Sequence, residues 1–262
     1  MPILGLQNSA SGSAPYSKFD RWSLAFDGSD EILNVGDLDS TFADAHSFSF
    51  WIKLADAQAD NSGRQYLAGL SNNTGHDMIY ISIESNGKLK WYLKANNEAE
   101  SGICSTALSD GASAWTHFAV TASMGETAGN VVAFYLNGSV VNSTSLSSLS
   151  KTNWNAFSSG VDFVIAGYNN NGSVAGHTNC NISDFAVYNS ALSASNVTSI
   201  YNSGNGYNHR TGVASANLAA WWRMGDGAEN ATGTTIYDAS TNSNNGTMTN
   251  MDAADFVEDT PE

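Results

Sequence analysis

The stretch SFSFWIKL, residues 47–54, alternates short polar side chains with large apolar ones until Trp51 breaks the pattern. Successive side chains on a strand point to opposite sides, so Phe48, Phe50, Ile52 and Leu54 share one face. Ser47, Ser49, Trp51 and Lys53 share the other. This two-residue period predicts a strand with one core-facing side. MIYISIES, LKWYLKA and THFAVTAS repeat it, so strands follow one another at short intervals. NVVAFYLNGSVVNS adds a hairpin, because Asn137-Gly138 can take the positive φ values of a type I′ turn.

One segment changes period. In AVYNSALSASNVTSIYNSG, residues 186–204, Val197, Ile200 and Tyr201 fall on one helical face. Ser193 or Ser195 can cap its start and Gly204 its end. Two turns of helix are marginal alone, so this one is expected to pack its apolar stripe on a sheet edge or an open sandwich end, plugging the core.

Composition narrows the function classes. The 262 residues carry 25 acidic against 10 basic side chains, a formal charge of −15 that repels phosphate backbones and anionic lipid. Nucleic acid is therefore not an expected partner, which leaves a solvated acidic surface or multivalent cation binding. Charged residues make up 13% of the chain, well below the usual value of about 25%, and Asn, Ser, Thr and Gly solvate it instead. Cys104 and Cys180 are too far apart for a close-spaced zinc pair. They read as two buried thiols or one long-range disulfide, with reduced thiols the expectation. No stretch reads as a membrane span or a secretion signal, so membrane insertion is not expected.

The expected organisation is an N-terminal arm over residues 1–20, one domain over 21–250, and a mobile acidic tail over 251–262, partly anchored by Phe256 and Val257.

SLAFDGSDEILNV, SFSFWIKL, WTHFAVTASMGETAGNVVAFYLNGSVV and ISDFAVYNSALSASNVTSIYNSG together resemble, in order and over residues 22 to about 204, the laminin G-like, concanavalin A-like jelly-roll family. The resemblance implies an all-β, concanavalin A-like sandwich of two antiparallel sheets with one short capping helix. Asp27, Trp115, His117, Asn137, Gly138 and Asp184 stand at the matching motif positions. There are two departures. Asn196 stands where the family favours a capping-box Glu, and LAAWWRMGDG follows the helix whereas in the family it precedes the Phe-Asp-Gly strand. The second puts the edge-strand order in doubt.

On this sandwich retaining glycosidases need two carboxylates about 5 Å apart, and lyase relatives a clustered His, Tyr, Arg and Gln set, whereas His76, His117 and His177 are scattered in this sequence. No E-x-D-x-x-E run exists, Glu84 and Asp184 have no acidic partner two residues away, and no G-x-S-x-G elbow occurs. A non-enzymatic protein is the expectation. The resemblance also sets the Phe-Asp-Gly turn beside the acidic strand, so that Asp27, Asp30 and Asp184, with the Gly28 carbonyl, would hold a structural Ca²⁺. The other reading is that Asp27 and Asp184 bond backbone N–H groups in turns. His117 is expected to pack in the other layer rather than to bind a ligand. Trp51, Trp91 and Trp154 are candidate platforms for sugar rings, and adjacent Trp221 and Trp222 a candidate partner surface.

These features point to a virion structural or appendage protein, such as a bacteriophage tail fibre, receptor-binding or capsid-decoration component. It would bind cell-surface glycan or a neighbouring virion subunit, including a further copy of itself. The alternative is a carbohydrate-binding module of a secreted polysaccharide-degrading system, working outside the cell or at its surface.

Overall fold

A computed structural model describes residues 21–42, 45–55, 63–72, 76–108, 114–123, 130–147, 150–154 and 156–261. The predicted arm over residues 1–20 lies outside them. In chain order the elements are β1 (Ser23–Asp27), β2 (Ile32–Asn34), α1 (Asp39–Phe42), β3 (His46–Leu54), β4 (Gln65–Ser71), β5 (Met78–Ile83), β6 (Lys88–Ala95), β7 (Glu98–Ala107), β8 (Thr116–Ser123), β9 (Val131–Leu136) and β10 (Ser139–Ser145). They continue with α2 (Lys151–Trp154), β11 (Val164–Ile165), β12 (Tyr168–Asn170), β13 (Ser173–Ala175), β14 (Asn179–Tyr188), α3 (Ala194–Tyr201), β15 (Leu218–Trp222), β16 (Thr235–Ile236), β17 (Gly246–Thr249) and β18 (Phe256–Val257).

Two antiparallel sheets face each other, as in a jelly roll. The first runs β10-β9-β8-β3-β14-β1-β18 and the second β16-β17-β2-β11-β4-β5-β6-β7. Alternation in β3 sets the core: Phe50 stacks on Phe185 at 4.7 Å and meets Phe118 edge-on at 5.3 Å. From the second sheet, Leu70, Ile81, Trp91 and Leu93 close the same cluster. The Asn137-Gly138 turn has φ values of +47° and +73°, as the hairpin reading requires. Cys104 and Cys180 are free thiols, both buried in the core.

The edge-strand question raised by LAAWW is answered by β14. One edge of β14 pairs with β3 throughout, while the other is shared, β1 taking Asn179–Ile182 and β15 taking Phe185–Tyr188. Between them β14 carries one extra residue relative to β3, and Asp184 sits in this bulge at φ +50°.

The outer face of the first sheet is not solvated, contrary to a simple one-sided reading of residues 47–54. Ser47, Ser49 and Trp51 are buried there, Trp51 against His117 and Tyr201. A second apolar cluster lies on the same face, made of Val197 and Ile200 of α3 with Ala119, Tyr135, Ala186, Tyr188 and Trp221. The helix therefore lies across a sheet face rather than plugging a sandwich end. The small side chains of Ala119, Ala133 and Ala186 leave room for it to approach. Ser193 caps it by accepting from Asn196 N–H at 3.2 Å, and Asn202, at φ +48°, stops it ahead of Gly204. Where a capping box would have Glu, the Asn196 amide oxygen accepts from Ser193 Oγ at 2.8 Å.

The acidic stretch after residue 250 is likewise part of the fold. β18 pairs with β1, Phe256 is buried, and the Asp259 carbonyl accepts from Ser23 Oγ at 2.6 Å. The expected anchoring by Phe256 and Val257 holds, and the ordered segment extends beyond it to Asp259.

Candidate functional site

On the outer face of the first sheet, Lys53 of β3, Asn181 of β14 and Trp115 just ahead of β8 meet one side chain of the C-terminal segment. Asp259 Oδ2 accepts from Lys53 Nζ at 2.7 Å and from Asn181 Nδ2 at 3.2 Å, and Oδ1 accepts from Trp115 Nε1 at 3.0 Å. Burial alone would raise the Asp259 pKa, but the bonds from Lys53, Trp115 and Asn181 outweigh it and hold the carboxyl below its ordinary range.

This cluster forms one wall of a cleft of about 460 Å³, completed by Trp51, Tyr201, Asn137 and Glu258. Trp51 and Tyr201 lie 5.7 Å apart at 32°, and Trp51 meets His117 edge-on at 5.2 Å. The geometry comes from local rules. The odd positions of β3 aim Trp51 and Lys53 outward, the β9–β10 turn presents Asn137, and the last turn of α3 delivers Tyr201. Gly138 is needed here as well as for its φ, since a Cβ would come within 2.7 Å of the Tyr201 ring.

His117 packs in this outer layer, as expected. Its Nε2 lies 2.9 Å from Ser49 Oγ, the spacing of a nucleophile and its base. Both side chains are buried, however, and burial pushes the imidazole down to about 3. Among the described residues its Nδ1, which a triad would tie to a carboxylate, has no partner. The pair is a buried hydrogen bond within the outer layer.

The residues proposed for Ca²⁺ are not brought together. Asp27 is exposed at the end of β1, opposite Asn179, and its Oδ1 accepts from Ser29 N–H at 2.7 Å. Asp184 lies five residues further along β14, roughly 16 Å away at the usual strand rise. It is buried, with Oδ1 accepting from Trp221 Nε1 at 3.0 Å. Gly28 turns at φ +76° against Asn179, and the exposed Asp30 offers its carbonyl to Asn250 Nδ2 at 3.1 Å. Among the described residues no group of three or more His, Cys, Asp or Glu converges as a cation site, so this set does not fit a shared ion. Of the two readings of Asp27, the turn bond is the one observed.

The tryptophans separate by layer. Trp91, Trp154 and Trp222 are fully buried in the core. Inside it their polar edges find partners: Trp91 Nε1 donates to His46 Nε2 at 3.2 Å, and Trp222 Nε1 donates to the Asn244 carbonyl at 2.7 Å. An indole whose N–H is satisfied indoors has no need of the surface. Trp51 lines the cleft and Trp221 borders a second one. Alternation splits the Trp221–Trp222 pair between the two faces, and both rings are buried, so the adjacent pair does not form an exposed partner surface. The outer face of the second sheet carries Tyr66, Tyr80, Tyr92 and Tyr168, but their ring faces stack on one another, Tyr80 on Tyr92 at 4.8 Å and Tyr66 on Tyr168 at 4.7 Å.

The comparisons with known proteins agree with this architecture. The model of the concanavalin A-like lectin/glucanases superfamily matches residues 27–198, and the chain belongs to that family. No curated protein matches the sequence. Among solved structures, a candidate carbohydrate-binding protein from Bacteroides ovatus aligns at TM-score 0.61 and 17% identity over 95% of this chain and 62% of its own, so the chain spans less than two thirds of that protein. The CBM40 of the Ruminococcus gnavus IT-sialidase, bound to α2,3-sialyllactose, aligns at TM-score 0.52 and 14% identity over 68% of this chain and 96% of its own. At these identities the likeness is one of fold.

Proposed function

We propose that this member of the concanavalin A-like lectin/glucanases superfamily is a non-enzymatic glycan-binding module whose ligand lies in the cleft of Trp51, Trp115, Tyr201 and Asp259. The observation that carries the reading is the meeting of aromatic rings and pre-bonded polar groups in one concave site. A pyranose has an apolar C–H face and a rim of hydroxyls, each both donor and acceptor. The aromatic surfaces would bury the face. Asp259, Lys53 and Asn137 would meet the rim. Because Lys53, Asn181 and Trp115 already fix Asp259, little ordering remains for the ligand to impose.

The same geometry argues against bond cleavage. A glycosidase acid needs a raised pKa, whereas Asp259 is held down, and its neighbour Glu258 is paired with Arg21. Among the described residues no helix is long and apolar enough to cross a membrane.

The wider setting we propose is a particle or surface outside the cell, a virion appendage foremost. Scarce charge and an Asn-, Ser- and Gly-rich surface support it, and mass spectrometry of purified particles tests it.

A glycan array probed with the full chain and with Trp115→Ala, alongside a reducing-end assay on the glycans bound, tests the binding reading. Binding that Trp115→Ala removes, with no release of reducing ends, is expected. Array signals that the variant leaves unchanged would overturn the placement, and released reducing ends would overturn the non-enzymatic reading.

A further inference from the structure

The outward positions of β6 concentrate positive charge. Its inward positions, Leu89, Trp91, Leu93 and Ala95, belong to the core, so Lys88, Lys90, Tyr92 and Lys94 share the outer face of the second sheet. Three of the chain's six lysines thus form one row, about 20 Å long at the usual strand rise. On a chain of formal charge −15 this row stands against the general field, and within a Debye length of about 8 Å the local charge is what a ligand meets.

The neighbouring strands leave this charge standing. Directly opposite Lys90, Tyr92 and Lys94 are Ser82, Tyr80 and Met78 of β5 and Ile103, Ser101 and Ala99 of β7, none of them charged. Glu84, just past the end of β5, is already taken: Oε1 accepts from Arg64 Nε at 2.7 Å and from Ser82 Oγ at 2.9 Å, and Oε2 from Arg64 Nη2 at 3.1 Å. Glu98 and Glu100 of β7 accept instead from the backbone N–H groups of Ser150 and Ser147. Among the described residues no carboxylate lies within ion-pair distance of Lys88, Lys90 or Lys94. Lys90 Nζ lies 5.6 Å from the centroid of the Tyr92 ring, which steadies the charge without neutralising it.

We propose that this face is a second binding surface, for a linear polysaccharide bearing carboxylate or sulfate groups, laid along β6 so that Lys88, Lys90 and Lys94 meet its anions. The ligand class follows from shape and donors. A row on an open sheet face fits an extended chain rather than a single small ion. Tyr92 stands between Lys90 and Lys94 with Ser101 opposite it, and burial keeps the Tyr92 phenol protonated, so hydroxyls able to bond sugar hydroxyls alternate with the charges. Nucleic acid fits less well, because the Tyr92 ring is taken up by Tyr80, stacked at 4.8 Å, and by Lys90, rather than offered to a base. An acidic peptide would favour an open strand edge, whereas both edges of β6 are paired. The surface lies on the other sheet from the first cleft and does not depend on it.

The test uses the full chain, isotope-labelled for NMR, titrated with hexagalacturonate and with a sulfated dextran oligosaccharide, beside the neutral dextran parent, hexaglutamate and a short DNA duplex. The acidic oligosaccharides are expected to shift the amides of residues 88–94 and to bind more weakly as salt rises, while neutral dextran leaves those amides unmoved. Binding of one of the two alone would support the surface and name its anion as carboxylate or sulfate. Replacing the row by Lys88→Gln, Lys90→Gln and Lys94→Gln together should weaken binding at least about tenfold. The charge-preserving set Lys88→Arg, Lys90→Arg and Lys94→Arg should stay within about threefold of the parent, which separates loss of charge from damage to the sheet. Binding of neither acidic oligosaccharide, unchanged binding by the glutamine variant, or an equal loss in the arginine variant would overturn the proposal. Hexaglutamate or DNA binding as tightly would overturn the saccharide assignment. Shifts confined to the Trp115 indole and Lys53 would place the ligand in the first cleft and overturn the second surface, so the two readings fail separately.

Discussion

The indole N–H of Trp115 donates to Asp259 across 144 residues of sequence, at 3.0 Å. This bond joins the start of β8 to the C-terminal segment, and Lys53 and Asn181 converge on the same carboxylate. The cleft therefore exists only when the C-terminal segment is docked on the first sheet.

Asp259→Ala is expected to lower stability by about 1–2 kcal/mol, the scale of a charged hydrogen-bond cluster discounted for partial exposure. Urea denaturation checks this. The folded pKa of Asp259 lies below its unfolded value, so its contribution is present above the ordinary carboxylate range of about 4 and is lost as pH falls through the folded pKa. The gap between variant and parent should therefore narrow as pH is lowered below about 4.

His117 and His209 are buried, and burial drives both imidazoles down to about 3, with repulsion from His117 adding to the effect at His209. Unfolded, they titrate near 6.5, so the unfolded chain takes up protons first as pH falls. Their stabilisation is complete above about 6.5 and declines toward pH 3, by roughly 1.4 kcal/mol per pH unit for each histidine. Urea unfolding at pH 7 and pH 5 should show a loss of several kcal/mol. A flat profile would contradict their burial as neutral rings.

Gly138→Ala combines a left-handed backbone at φ +73° with a Cβ pressed onto the Tyr201 ring. A loss of about 1–3 kcal/mol is expected, with weaker glycan binding because Tyr201 must move. Asn137→Gly, which keeps the turn conformation, should leave α3 in place. Thermal unfolding and binding measured on the same samples separate the two effects.

Trp91→Ala and Trp115→Ala should fail in opposite ways. The first empties a core position and is expected to cost about 3–5 kcal/mol. The second should mainly abolish ligand binding. Denaturation midpoints beside array signals distinguish a core indole from a cleft indole.

Much of the fold was legible because its signals are local. The alternation of residues 47–54, the Asn137-Gly138 turn and the Ser193 cap each act within a few residues, and each holds in the structure. What was illegible depends on distant partners. Ser47 and Ser49 look solvent-facing, yet both are buried in the outer layer, and the Asp259 ligands Asn181, Trp115 and Lys53 lie 78, 144 and 206 residues away. Arg210 and Arg223 likewise carry no motif; one lies in the loop before β15 and the other just past its end, and the fold brings them to one cleft. The tryptophans misled for another reason: composition cannot tell an indole bonded to His46 inside the core from one bonded at a cleft wall.

The Trp115 indole N–H resonance, followed while an array-identified oligosaccharide is added, tests glycan binding in the first cleft most directly. It should shift saturably, together with the amides of Lys53, Tyr201 and Asp259. A bound oligosaccharide that leaves all four unmoved would contradict the account.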